Sequence, residues 1–444
     1  MKKVLAFVLI LAIALGGMVF AHIAVSDSQD ELIFYPTLEE GDPAVLQGLT
    51  ASMTIHCGEH LFWNTEYAFG GEAVTDFVYS RKAVGIHNHS FNYTYMDLSL
   101  YGSDFEGYRR LVQSVAAQTP PRSTITQTLL LSEHLSCYLP SCSIQYRDKT
   151  MESKSFFTED PLSALFQNEF RFPVREGNTM TIKVTRDSEG QITKSITTAG
   201  DPKLYLHDYV SDEGIWFLME FRDENGILPY ESPQGHGIYY LPWKTLDEQF
   251  DYGLLQISPD VEGLRQCVPL EEGPVVEDLS IDTERGLAHV LTQEDGAFIL
   301  STYDLRSGAA TARLELIQAA EERTHSYISR YRGDYLLLRV RDQIVLTDAA
   351  GENILLTAPD PWGHNLSINN FDPELGDVYF DGKTLFLAVP GPYDPAYFTI
   401  AAFQQDAMVF YCEYDCSIMQ GNENWYYSNV TAESYPIRLK PNTD

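Results

Sequence analysis

Residues Leu279 to Leu316 read LSIDTERGLAHVLTQEDGAFILSTYDLRSGAATARLEL. Three polar turns divide this stretch: Asp282-Thr283-Glu284-Arg285-Gly286, Asp295-Gly296 and Ser307-Gly308. Between and around them lie four runs of β-forming residues. Aspartate and glycine supply the positive-φ positions that tight hairpins need. Runs of about six residues separated by such turns mark consecutive antiparallel strands. The stretch predicts one four-stranded meander.

The plan recurs in both directions. Ser326 to Ala358 contains YLLLRVRDQIVLTDAAGENILLTA, and Ser367 to Tyr414 forms a further set. These two sets contain polar turns at Tyr331-Arg332-Gly333-Asp334 and Phe380-Asp381-Gly382-Lys383, each ahead of an apolar strand. Upstream, KVTRDSEGQITKSI (from Lys183) and IWFLMEFRDENGILPY (from Ile215) read as hairpins. Four-stranded units recurring about every 40 residues are the pattern of propeller blades. The expected fold is mainly β, a propeller-like array of four-stranded antiparallel blades preceded by a mixed β/α region. A β-sandwich or a stack of meanders is the alternative. In the array, Ile299, Leu300, Leu337, Leu338, Leu385 and Leu387 belong between sheets.

The first third reads differently. Strand-like runs at Leu49 to Tyr67, Ala73 to Lys82, Phe91 to Tyr101 and Ile125 to Leu131 alternate with helical signals. Ser103-Asp104-Phe105-Glu106 is a capping box ahead of GYRRLVQSVAAQ, whose Tyr108, Leu111, Val112 and Val115 share one helical face. Thr119-Pro120-Pro121 stops that helix, and a shorter one opens at Asp160-Pro161. The turn Glu176-Gly177-Asn178 is the expected boundary, giving 1–25, 26–177 and 178–440 as segments.

Lys2 and Lys3 precede Val4 to Ala21, a run without a charge. That is a positive n-region feeding an export-length apolar core. Val19-Phe20-Ala21 favours cleavage of a signal peptide, whereas continuation through Ile23, Ala24 and Val25 favours a retained anchor. Both stay open, and both predict an extracytoplasmic chain, either membrane-anchored through its N-terminus or secreted. Thirty Lys and Arg stand against 63 Asp and Glu, a formal charge of −33. Such a surface repels phosphate backbones and disfavours nucleic acid as a partner.

Four groups of side chains are candidates for chemistry. His56, His60, His87 and His89 include an i, i+2 pair that would share one strand face, as a metal site needs. Tyr239, Trp243, Tyr393, Tyr397 and Trp425 are aromatics suited to a glycan or peptide platform if exposed on loops. Cys137/Cys142 and Cys412/Cys416 are close enough in sequence to close small loops in an exported chain. Asp208, Asp212 and Glu220 are acids without a placed role. There is no G-x-S-x-G elbow, P-loop or H-E-x-x-H motif, and no cofactor is expected.

The units from Leu279 to Tyr414 resemble bacterial extracytoplasmic β-propeller proteins carrying an N-terminal membrane signal. The resemblance covers about the last 60% of the chain and rests on repeat style. The chain lacks the paired Gly-His and Trp-Asp signature of WD repeats, having no Trp-Asp dipeptide, and lacks the S-x-D-x-G-x-T-W boxes of sialidases and the tryptophan-docking repeats of quinone-dependent dehydrogenases. Propeller-like repeats, an export signal and the absence of any catalytic motif together predict a non-enzymatic binding or scaffold module for a protein, peptide or glycan. A secreted glycan-active hydrolase or lyase, using paired acids, is the competing expectation.

Overall fold

The computed structural model describes residues 2–29, 32–57, 61–82, 93–99, 106–138, 140–147, 153–155, 159–199, 202–211, 213–223, 226–232, 234–245, 257–318, 326–331, 334–340, 343–352, 354–359, 376–390, 398–405, 407–416 and 437–442. Helix α1 (Lys2–Gln29) contains the whole apolar N-terminal run. Among the described residues no helix is long and apolar enough to cross a membrane. The described side chains of α1 form a continuous run from Phe7 to Phe20, about 21 Å of helix at 1.5 Å per residue, with Ile23 beyond it.

Strand β1 (Phe34–Gly41) precedes a meander of β2 (Leu49–Cys57), β3 (Leu61–Ala68) and β4 (Ala73–Tyr79). The mixed region follows: β5 (Tyr93–Ser99), α2 (Glu106–Gln118), β6 (Ser123–Leu130) and β7 (Cys137–Tyr138). It continues through β8 (Ser141–Arg147), β9 (Ser153–Ser155), α3 (Glu159–Glu169), β10 (Phe172–Pro173), β11 (Thr179–Arg186) and β12 (Ile192–Ala199). Here β5, β8 and β9 form one sheet, and β12, β11 and β6 form another.

The next sheet is built on β13 (Lys203–Val210), β14 (Gly214–Asp223) and β16 (Gly237–Thr245). Joined to it are β15 (Gly226–Leu228), β17 (Ile257–Pro259) and β18 (Arg265–Pro269). The quoted stretch is a four-stranded meander: β19 (Val275–Asp282), β20 (Leu287–Glu294), β21 (Ala297–Asp304) and β22 (Ala310–Gln318). Its turns fall where the aspartates and glycines require. Then come β23 (Ser326–Tyr331), β24 (Tyr335–Val340), β25 (Gln343–Asp348) and β26 (Ile354–Pro359) as a second four-stranded sheet. The last set is β27 (Asp377–Phe380), β28 (Thr384–Pro390), β29 (Phe398–Gln404) and β30 (Ala407–Cys416), with β31 (Arg438–Pro441) at the end.

The two ends of the chain exchange strands. β1 adds to the outer edge of β30, making that sheet five-stranded, and β31 pairs with β2 at the head of the first meander. Compact unit 1 is accordingly assembled from Met1–Phe91, Ser329–Ala349 and Ile354–Asp444; unit 2 is Asn92–Ile328 with Ala350–Asn353. The expected break at residue 178 does not separate the units. Asn178 lies inside unit 2, where its carbonyl accepts from Leu131 N at 2.8 Å and its side-chain amide donates to the Tyr138 hydroxyl.

Packing within each unit decides between array and sandwich. In unit 2, Ile215, Phe217, Met219 and Phe221 of β14 join a core with Tyr138, Phe166 and Phe172. The alternate residues Trp216 and Leu218 join a different core with Leu279, Ile281 and Val290 of the next sheet. In unit 1, Phe386, Ile400 and Phe410 pack with Met53, Ile55 and Trp63. On the opposite face of that sheet Leu385, Leu387, Ala401 and Phe403 are also buried, and β26 lies beside β29 and β30. A two-sheet sandwich leaves each outer face wet. Here central sheets are covered on both faces, which is why their strands are continuously apolar. The five leucines and one isoleucine assigned to sheet interiors are all buried, none more than 4% exposed. The fold is mainly β, a propeller-like array of small antiparallel sheets, with β5 beside β13 and β13 beside β19 as the leading strands of successive sheets.

Candidate functional site

A leading strand has a sheet neighbour on one edge only, so its other edge presents backbone amides without a ladder partner. Three aspartates meet that need. Asp208 on β13 accepts from Met96 N of β5 at 2.7 Å. Asp278 on β19 accepts from Ile328 N of β23 at 2.6 Å, and its other oxygen accepts from Leu279 N at 2.8 Å. Asp377 on β27 accepts from Leu439 N of β31 at 2.6 Å. Burial pushes the Asp208 and Asp278 carboxyls up to about 6, against the pull of these amides, which favour the ionised form.

Glu220 performs the same task one strand over, with a charge partner. It sits within IWFLMEF, an otherwise apolar run buried on both faces, so its charge requires a partner. Its Oε1 accepts from Val276 N at 2.8 Å and its Oε2 pairs with the Arg222 guanidinium. Arg222 donates to Val276 O at 2.6 Å and lies 4.4 Å from the centre of the Tyr205 ring. The two side chains thus grip both polar groups of one residue in the adjacent sheet, at the bulge between Val276 and Asp278. His207 completes the cluster. Burial first, then the Arg222 charge, lowers its pKa to about 4 against a hydrogen bond to the Val276 backbone, so the imidazole is neutral at pH 7. Its Nε2 is buried with no hydrogen-bond partner among the described residues.

The acids named from sequence are not a catalytic pair. In the β13–β14 register Tyr205 opposes Glu220 while Asp208 opposes Phe217, so Asp208 and Glu220 project from opposite faces of the sheet. A glycosidase pair must flank one bond in one cleft. Asp212 lies outside the described residues.

The aromatic candidates that are described are packed. Tyr239 is 1% exposed, its ring stacked on Phe217 and edge-on to Phe170. Its hydroxyl lies 2.6 Å from Ser232 Oγ and donates to Gly235 O, which pins the Ser232–Gly237 loop rather than offering a platform. Trp243 is half-buried and donates its indole N–H to Ser211 O at 2.8 Å. Tyr393, Tyr397 and Trp425 lie outside the described residues, as do His60, His87, His89 and the His56 side chain. Among the described residues no three His, Cys, Asp or Glu converge on a metal-sized site.

The expected disulfides are not formed: no bond joins Cys137 to Cys142 or Cys412 to Cys416. Cys412 and Cys416 both lie on β30. Four residues of extended strand separate their Cα atoms by about 13 Å, beyond the roughly 7 Å a bridge can span. Cys137 pairs across to Pro173 and Cys142 across to Leu98, in different sheets. Burial pushes the Cys412 thiol up to about 12.

Sequence reading missed Asp278, Asp377, His207 and Arg222. The available signal was a lone charged residue inside an apolar run, as in FLMEFR and KLYLHDYV.

No family model matches the chain, and no curated protein does. Among solved structures it is similar to a putative 6-phosphogluconolactonase from Bacteroides fragilis NCTC 9343, at 10% identity and a TM-score of 0.27 over 83% of this chain and 99% of that chain. A putative 6-phosphogluconolactonase from Bacteroides uniformis ATCC 8492 gives 12% identity and 0.24 over 83% and 100%. Apo AztD from Citrobacter koseri gives 9% and 0.25 over 83% and 97%. At these scores the likenesses carry no argument about this chain.

Proposed function

We propose that this chain is an extracytoplasmic binding or scaffold protein, directed to or held at the membrane by α1. The observation that carries the reading is the commitment of its strand-borne carboxylates. Asp208, Asp278, Asp377 and Glu220 each hold a backbone amide of a neighbouring strand. Acids used to fasten sheets together belong to a framework, and recognition is then left to the loops and surfaces that the framework presents. The uncharged run from Val4 to Ala21 behind Lys2 and Lys3 supports export.

Stability measurements discriminate between framework and catalysis. A catalytic carboxylate is commonly held at the expense of stability, and neutralising it raises Tm. Glu220→Gln should instead lower Tm, because a charged hydrogen bond to Arg222 contributes about 1.5–3 kcal/mol. A higher Tm would reject the framework role. A phosphatase active only outside the cytoplasm, fused after His60, tests location. An expressed but inactive fusion would reject export.

A further inference from the structure

The sheet β12-β11-β6 is covered unevenly. Met180, Ile182 and Val184 of the middle strand are at most 1% exposed, with Val112 and Val115 of α2 in the same core. On the edge strand β12, Ile196 opposes Ile182 and Ile192 opposes Arg186, so both face the helix side of the sheet. Yet Ile192 is 46% and Ile196 42% exposed, because α2 packs over β11 and β6 and leaves β12 overhanging. Arg109, Val112, Gln113 and Ala116, at i, i+3, i+4 and i+7, form one stripe of α2 along the resulting groove. The groove encloses about 270 Å³, with Ile192, Lys194 and Ile196 on its other side.

Two features point to one occupant. Among the described residues β12 has a sheet neighbour on one side only, so its other edge can hydrogen-bond an added strand. The groove also inverts the charge of the molecule. Its lining contains Arg109 and Lys194 and no acid, in a chain of net charge −33. Lys194 has no ion-pair partner among the described residues. A second copy pairing antiparallel about Ser195 at the centre of β12 would oppose Lys194 to Ile196 of the other copy and set the two Lys194 side chains diagonally on one face, which disfavours self-association.

From this we infer that the β12 edge binds an extended acidic segment of a partner protein, added as a fourth strand to β12-β11-β6. Its apolar side chains would cover Ile192 and Ile196, and its carboxylates would meet Lys194. The inference rests on the binding reading above and gives it a surface.

The test uses the full-length chain in detergent micelles and a short fluorescent peptide of alternating Glu and Val, with its Lys-Val counterpart and a backbone N-methylated copy as controls. Expected are saturable binding of the Glu-Val peptide, and affinity at least about tenfold weaker for both controls. Lys194→Glu and Ile196→Glu should each weaken binding by a similar factor without lowering Tm by more than a few degrees. Equal affinity for the Lys-Val peptide, indifference to N-methylation, or binding unchanged in a folded Lys194→Glu protein would overturn the inference. So would dimerisation lost on Ile196→Glu, which assigns the edge to a second copy. Because the phosphatase fusion tests export alone, failure here leaves that result standing.

Discussion

Glu220→Ala is the most informative single change, because it takes the carboxylate from both the Arg222 guanidinium and the Val276 amide. The Glu220 side chain is fully buried, and that of Arg222 is 11% exposed. Removing one partner of a buried pair costs about 3–5 kcal/mol. The Val276 amide also loses its 2.8 Å acceptor, a loss of about 1–3 kcal/mol. The two terms overlap, since water entering the vacated space solvates both groups, so the net expectation is about 4–5 kcal/mol. For a folding unit of this size that lowers Tm by about 10–15 °C. Thermal unfolding followed by tryptophan fluorescence reads the change, with Trp216 on the same face of the sheet packed at 4.5 Å from Tyr240. The double replacement Glu220→Leu with Arg222→Met removes both charges and should recover at least about 2 kcal/mol of the loss. The clamp is refuted if Glu220→Ala costs less than about 1 kcal/mol, or if the double variant loses the sum of the singles.

Other consequences follow from the same geometry. Asp278 is raised from 3.8 to about 6 on folding, so the folded chain binds the extra proton between those values. Its contribution is fully present below about pH 4 and is lost as pH rises through 6, a change of roughly 3 kcal/mol. The Tm difference between wild type and Asp278→Asn should therefore shrink or reverse from pH 4.5 to 7, and a constant difference would contradict the assignment. His207, lowered from 6.5 to about 4, acts oppositely, its contribution being present above 6.5 and lost as pH falls through 4; His207→Gln should flatten the acid limb of the Tm profile. A Cβ at Gly41 (φ +93°) would sit 2.2 Å from Val409 O. Gly41→Ala should therefore loosen β1 and speed amide exchange along β30, at a cost of at least about 2 kcal/mol. A chain ending before Ile437 loses the buried Ile437 and Leu439 and uncovers the β2 edge. It should unfold unit 1 at lower temperature and aggregate, as sedimentation will read. Alkylation of unreduced, denatured protein should label Cys412 and Cys416 fully, and a bridged peptide would contradict the strand assignment of β30.

Local order was legible from residues alone. Asp282 to Gly286, Asp295-Gly296 and Ser307-Gly308 turn where they were expected to turn, because turn chemistry is decided by the few residues that make the turn. The α2 helix likewise buries Val112 and Val115 of its expected apolar stripe, while Ser103 to Phe105 of the capping box lie outside the described residues. The candidate site was scarcely legible. Tyr239 and Trp243 have the composition of a binding platform, yet Tyr239 lies in the core and Trp243 packs half-buried against it, and residue type alone does not separate these outcomes. The cysteine pairs failed for a similar reason. Closeness along the chain is not closeness in space when the intervening residues are extended.

Sequence by itself determined the class of elements, their turns, the apolar continuity of the strands, the acidic composition and the uncharged apolar run behind Lys2 and Lys3. Each of these depends on period, composition or a handful of neighbours. Tertiary structure alone decided that β1 joins β30 and β31 joins β2, pairings between opposite ends of the chain. It also decided that Asp208 and Glu220 face apart, and that Asp278 and Asp377 cap the free edges of leading strands. Partners far apart along the chain leave no local trace, since an unpaired strand edge specifies that some donor must be satisfied and not which carboxylate will satisfy it.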